Sequence, residues 1–272
     1  MKKRNIFEVI GSSCELWWKN FVVVLPFVFN AIASVIAFVL LFLIFGLLFA
    51  FLFKNSQVLQ ALTELGKLST TQLQLNQLNG LDKFVGLLTP QLILYFAIAI
   101  VVSTFVLALI RAYFFSGAIA MAVELHREKK TKLKTMANGS QFFWRYFLIE
   151  LILYVGLFLW LLIFSLPLII IQKVSLIVVP LISLIALAFL YVLFLLPTYF
   201  LVLKDSSVKQ AFLGSIKIAR KNYWATFALA IIFLLAVILV GLVPWIGWAL
   251  QMLIVEPIRT IAFVIFVEER TD

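Results

Sequence analysis

The chain is predicted to be an all-α, polytopic membrane protein: six transmembrane helices arranged as three hairpins, each preceded by an interfacial amphipathic helix on the cytoplasmic side. Three observations carry this expectation. Of 272 residues, 65% are hydrophobic and only 12% charged, with a mean hydropathy of +1.16. A water-soluble domain is about half apolar and about a quarter charged, so the apolar excess here must face something other than water. Six apolar stretches fill most of the chain, each long enough for the roughly 20 residues that a helix needs to cross a hydrocarbon core. Three of those stretches are entered by the same kind of short basic amphipathic segment, at residues 6–21, 132–147 and 208–224. The 28 Phe and 7 Trp agree, because aromatic rings fill gaps between helices and Trp favours the headgroup level.

In chain order, the first span covers residues 21–53 and is followed by a polar extramembrane segment, 54–90, rich in Gln, Asn, Thr and Leu. Leu59, Leu62, Leu65 and Leu68 recur every three residues there, the spacing of a helix lying on apolar surface. The second span runs over 91–125 and ends in a basic loop, 126–134. Spans three (146–171) and four (176–203) are joined by the short link 172–175. Spans five (224–240) and six (246–267) are joined by the tight turn GLVPWIGW. The first span would be roughly 50 Å long at 1.5 Å per residue, well beyond a core of about 30 Å. The far ends of spans one and two are therefore expected to project outward together.

Sixteen Lys and Arg lie beside span ends on one side: 2, 3, 4, 19, 127, 129, 130, 132, 134, 145, 204, 209, 217, 220, 221 and 270. Only Lys54, Lys67, Lys83 and Lys173 lie on the other. The positive-inside bias therefore places both termini on the cytoplasmic side of a cell (inner) membrane, and an even span count, which puts both on one side, agrees. The net charge of +10 belongs to these span ends, where it meets anionic headgroups, so nucleic acid is not an expected partner. Membrane lipids are, and the amphipathic segments could also dock a cytoplasmic protein. One cysteine, Cys14, excludes an internal disulfide framework. Glu8, Glu15 and Lys19 interrupt the region where a signal peptide needs its apolar core, so no cleavage is expected.

Each amphipathic segment starts a hairpin, which divides a single transmembrane domain (1–272) into candidate repeats 5–125, 131–203 and 206–268. In the first segment Ile6, Ile10, Cys14, Trp17 and Phe21 share one helical face, and Glu8, Ser12, Glu15 and Lys19 the opposite one. In the third, Val208, Phe212, Ser215, Ala219 and Tyr223 oppose Lys209, Lys217, Arg220 and Lys221. The second is shorter and weaker. Aligning Ser13 with Ser215 puts Asn20 on Asn222. The small residues Gly11, Ser12, Gly139, Gly214 and Ser215 would let such helices pack closely on a neighbouring span.

Residues 196–233, LPTYFLVLKDSSVKQAFLGSIKIARKNYWATFALAIIF, resemble the signature region of a broad prokaryotic six-helix membrane superfamily. It includes the membrane domain of some glycerophosphodiester phosphodiesterases and stand-alone proteins of unknown function. The likeness rests on Pro197 near a span end, a short polar link, Ala211 and Ser215 at Ala-x-x-x-Ser spacing, then Lys221, Asn222 and Tyr223. Residues 116–147 are similar to archaeal members. The resemblance implies six helices and an inner-membrane location. It supplies no catalytic residue, and no segment remains for the phosphodiesterase's soluble barrel.

Four ionisable residues fall inside apolar runs: Arg111, Glu150, Glu256 and Arg259. Such residues normally face a bundle interior or a water-filled cavity. Glu150 and Arg259 lie roughly 8–14 Å from the cytoplasmic span ends at the helical rise. Glu256 and Arg259 share a face, and Pro257 between them removes one backbone hydrogen bond. Two readings follow: a binding or conduction site for an anionic headgroup, proton or cation, or an internal salt-bridge cluster, with Arg259 and Glu150 as the pair to test by double substitution. No catalytic, cofactor or metal residues are assigned. His126 is the lone His, and no GxSxG, HExxH or phosphate loop occurs. The expectation is a non-enzymatic membrane protein that binds, moves or organises lipid-like or small amphipathic molecules. The alternative is the permease subunit of a transporter coupled to a cytoplasmic ATPase. An intramembrane enzyme would have only Glu150 and Glu256 as its carboxylates.

Overall fold

Capping residues mark the helix starts. In a computed structural model of the chain, which describes residues 3–53, 89–170, 183, 186–187, 190–244 and 246–271, helix α1 spans Ile6–Lys19. Asn5 Oδ1 accepts the Glu8 N–H at 2.8 Å and Glu8 Oε2 accepts the Asn5 N–H at 3.0 Å, a reciprocal cap on the first turn. The helix stops at Asn20, whose side chain donates to the Leu16 carbonyl. A 3-10 turn, Phe21–Val24, leads into α2, Leu25–Leu52. Helix α3 runs from Pro90–Glu128, and α4, Leu133–Asn138, passes through a second 3-10 turn, Gly139–Phe142, into α5, Phe143–Ile170.

Pro197 opens α6, Pro197–Lys204, and Asp205 closes it in the left-handed region at φ 43°. The chain then turns by 120° into α7, Val208–Lys221. Arg145 of α5 pins that corner, pairing with Asp205 at 2.9 Å and donating to the Ser206 carbonyl at 3.1 Å. Helix α8 is Tyr223–Gly241, α9 is Gly247–Leu250, and a π-helical turn, Gln251–Val255, precedes α10, Glu256–Glu268. No strand occurs among the described residues.

Helices α1 and α7 are built alike. Both have 14 residues and a reciprocal cap, Ser207 and Gln210 replacing Asn5 and Glu8. Both end on an Asn whose side chain bonds a carbonyl four residues back, Asn20 to Leu16 and Asn222 to Ile218. With Ser13 on Ser215, the buried positions coincide: Val9 with Ala211, Ser13 with Ser215, Leu16 with Ile218. Their charges do not. Helix α1 carries Glu8, Glu15 and Lys19, whereas α7 carries Lys209, Lys217, Arg220 and Lys221 and no acid.

Among the described residues five helices are long and apolar enough to cross a membrane: Phe21–Leu52, Pro90–Glu128, Leu133–Trp160, Tyr223–Gly241 and Gly247–Glu268. A sixth is added if the bent pair Leu190–Lys204 and Val208–Lys221 counts as one span. These bounds match the sequence reading of spans one, two, five and six to within a few residues; the third starts earlier, at Leu133, where α4 joins the helix, and its apolar span ends at Trp160, although α5 itself runs on to Ile170. The expected segment 54–90, apart from its last two residues, its leucine repeat and the link 172–175 lie outside the described residues.

The chain forms two compact units, Met1–Ile32 with Ala108–Asp272, and Ala33–Leu107. In the first, α10 is the most enclosed element. From Ile261 to Val267 every side chain is buried, as an all-round apolar helix must be when protein surrounds it. Helices α1 and α6 pack on it, and α5 and α7 pack on α6. The lipid-facing halves are the reverse: Phe158, Leu234 and Leu239 stand exposed. Apolar surface on this scale is not left to water.

In the second unit, α2 and α3 meet through Phe45, Phe49, Phe53, Tyr95 and Phe96. The Tyr95 hydroxyl donates to the Phe45 carbonyl, so its polar tip is satisfied inside an apolar cluster. At 39 residues α3 is about 58 Å long, far more than one crossing needs.

Two packing expectations need correction. The buried face of α1 is Val9, Ser13 and Leu16, whereas Cys14 and Phe21 are exposed with Phe7 and Trp18. The helix therefore has two apolar sectors: one against protein, one outward. Of the small residues, Gly139 does pack closely, since a Cβ there would sit 2.5 Å from Gly117 Cα, and Gly214 lies under the Phe200 ring. Gly11 faces open space.

Candidate intramembrane polar site

All four intramembrane charges lie in the first unit, supplied by α3, α5 and α10. Arg111 Nε lies 3.0 Å from Glu150 Oε1, joining α3 to α5. The acid is buried, with 8% of its side chain accessible, while 44% of the Arg111 side chain is. Its guanidinium rests over the Phe115 ring, 4.8 Å from the centroid, which gives a cation in an apolar setting a second favourable contact. Tyr146 and Tyr154, one turn either side of Glu150 on α5, flank the pair.

Glu256 and Arg259 form the second ion pair, one turn apart on α10. The structure thus gives each base its own acid: Arg259 bonds Glu256, and Glu150 bonds Arg111, so the double substitution to test is not Arg259 with Glu150. The two pairs still feel one another, Arg111 interacting electrostatically with both Glu256 and Arg259. Two acids and two bases leave the cluster neutral. Tyr199, its ring tilted against that of Phe263 with centroids 5.2 Å apart, reaches the same charges from α6.

A cavity of about 210 Å³ opens beside the second pair. Its polar lining is Gln251, Glu256, Arg259 and Tyr191, and the remainder is apolar, including Phe233, Leu234 and Phe263. The floor is buried at Phe233, Glu256 and Phe263, and the rim is exposed at Tyr191 and Leu234. The opening therefore faces the surface that carries the exposed apolar side chains of α8.

The backbone beside this cavity is irregular for an identifiable reason. In a regular α-helix the Leu253 carbonyl would take the N–H of residue 257, and Pro257 has none. The helix widens to a π turn over Gln251–Val255, a feature that recurs at functional sites. The Leu253 carbonyl is taken instead by the Trp17 indole N–H, at 3.0 Å, from α1. An amphipathic helix near the N-terminus is thereby fastened to the helix that carries Glu256 and Arg259.

The Ser13 and Ser215 hydroxyls donate to their own helices, at the Val9 and Phe212 carbonyls. Among the described residues no three His, Cys, Asp or Glu gather as a metal site. Across known protein families, curated proteins and solved structures, the chain matches none.

A second charged cluster was not legible in the sequence. Arg4 Nε pairs with Glu269 Oε1 at 2.9 Å, and Arg270 donates to the Arg4 carbonyl at 3.1 Å while its guanidinium lies 3.9 Å from the Phe266 ring centroid. Arg127 pairs with Glu268 at 2.8 Å, with His126 beside it. These groups clasp both ends of the described chain to the end of α3. Gln251, by contrast, had a visible signal, as a lone amide in an apolar run one turn before Glu256.

Proposed function

We propose that the protein is a non-enzymatic integral membrane protein that binds a lipid-like or small amphipathic molecule beside α10 and moves or presents it within the bilayer. The cavity supports this reading most directly: apolar walls, an ion pair and an amide at its base, and a rim opening where the helix surface is apolar. Ligand sites share this composition, mostly apolar with a few convergent polar groups. At about 210 Å³ the space is smaller than the roughly 300–1,000 Å³ of a drug-sized pocket. It suits one chain end or one small head, with the rest of the molecule among the surrounding lipids.

The proposal places the six spans as three hairpins in a cell (inner) membrane with both termini cytoplasmic. Helix α1, the α4 segment and α7 lie at the inner headgroups. The matching caps, terminal Asn residues and buried registers of α1 and α7 support an internal repeat, and Leu196–Phe233 supports membership of the six-helix superfamily it resembles. Native mass spectrometry of the detergent-purified protein tests the reading. Retained lipid-sized mass is expected, and Ala230→Trp, which fills the cavity wall, should remove it. Absence of any retained mass, or indifference to Ala230→Trp, would refute it.

One observation favours the permease alternative. Lys209, Lys217, Arg220 and Lys221 of α7 are exposed, and none takes part in an ion pair among the described residues. That leaves a cationic face for an acidic cytoplasmic partner. Co-purification of a nucleotide-hydrolysing subunit that is lost on reversing these charges would favour it.

A further inference from the structure

The ligand class follows from the charge count of the cavity, and this inference rests on the cavity being a binding site at all. Among the described residues Glu256 and Arg259 are the only charged groups that line it, and they are bonded to each other. The next charges, Arg111 and Glu150, are also paired at 3.0 Å. The site is therefore neutral before anything enters. About a quarter of the Arg259 side chain remains accessible, twice the fraction of Glu256, so N–H donors meet the entering head before carboxylate oxygens do. Gln251 and Tyr191 add an amide and a hydroxyl.

An anionic head would face these donors but would leave three negative groups against two positive ones in a region with little water. A charge buried without its own partner is strongly unfavourable. A cationic head meets the guanidinium first. A neutral head with ester, carbonyl or hydroxyl oxygens satisfies the Arg259 donors and leaves both ion pairs intact. We propose that this cavity selects the uncharged, oxygen-bearing head of a single-chain amphiphile, of the monoacylglycerol type, over the ionised head of a fatty acid with the same chain.

The test is a competition at pH 8 on the detergent-purified full chain, with monoolein and oleate at equal concentration and native mass spectrometry as readout. Monoolein occupancy is expected to exceed oleate by about tenfold or more, and Ala230→Trp should abolish both. Glu256→Gln leaves Arg259 as an unbalanced cation, so preference should turn toward oleate. In the double variant Glu256→Gln with Arg259→Gln the cavity is neutral again and monoolein should regain its lead. Oleate binding better than monoolein to the unaltered chain overturns this inference while leaving the site itself standing. Binding of neither, or binding untouched by Ala230→Trp, overturns the site and the inference with it. Should Glu256→Gln not fold, the preference of the unaltered chain decides alone.

Discussion

Replacing Trp17 by Phe removes one N–H and leaves most of the ring. In the structure that N–H is the donor seen on the Leu253 carbonyl, at 3.0 Å, in a place where Pro257 cannot supply its own. The bond is part-buried, and leaving a backbone acceptor unpaired out of water costs about 1–3 kcal/mol. The ring itself is half-buried, so the loss of packing adds little. For a domain of this size about 1 kcal/mol moves Tm by roughly 2–4 °C, so Trp17→Phe should lower it by about 2–12 °C in detergent. A second substitution separates the hydrogen bond from the packing. Pro257→Ala gives residue 257 an N–H, which can serve Leu253 within a regular helix. In that background Trp17→Phe should cost about 1 kcal/mol less, a coupling large enough for a double-mutant cycle to resolve. Equal cost of Trp17→Phe with and without Pro257 would refute the account of how α1 is fastened to α10.

Further outcomes follow from the same contacts. Arg111→Met should destabilise by about 3–5 kcal/mol because Glu150 is left buried without its partner, and adding Glu150→Leu should restore most of it; thermal melting of the four variants checks this, and no recovery would count against a paired cluster. Gly139→Ala should cost about 1–3 kcal/mol through overpacking on Gly117, whereas Gly11→Ala, in open space within α1, should stabilise by roughly 0.5–1 kcal/mol. Arg4→Ala should cost about 3 kcal/mol, since it strips Glu269, whose side chain is 1% exposed, of its nearest partner. That loss should persist in about 0.5 M NaCl, because salt screens buried pairs weakly. The exposed Lys19 and Glu15 pair should show no measurable effect in either condition.

Much of the architecture could be read from the chain because bilayer thickness sets helix length, and span bounds such as 224–240 follow from hydropathy alone. The starts of α1 and α7 were legible for a local reason too: Asn5 with Glu8, and Ser207 with Gln210, are capping pairs three residues apart. The inward face of α1 was not. In a lipid environment Phe7 and Trp18 can be exposed and Val9 buried with equal ease, so apolar periodicity marks two sectors as one. Serine at position 13 belongs to the packed face, where a hydroxyl bonded to Val9 is small enough for a close approach.

At the polar site, sequence identified the four charges, because each stands out in an apolar run. The cross-helix pair it offered for testing, Arg259 with Glu150, is not the one formed, because whether Glu150 meets Arg111 or Arg259 depends on how α3, α5 and α10 are rotated. Pro257 announced an unpaired carbonyl, yet nothing local to residue 253 points to Trp17. The clasp of Arg4 with Glu269 was hidden for the same reason. Charges near chain ends resemble ordinary topology signals until the fold brings them together.

The decisive measurement uses the native thiol. Cys14 lies on the outward sector of α1, exposed, between Phe7 and Trp18, and is the chain's single cysteine. Partial burial pushes its thiol pKa up, so spin labelling is best done above the ordinary thiol range of about 8.5. In reconstituted bilayers the account predicts a label about 5–10 Å below the headgroup surface, reached by an impermeant thiol reagent from the cytoplasmic side alone. A label bathed in bulk water, or one reached from the opposite side, would contradict it.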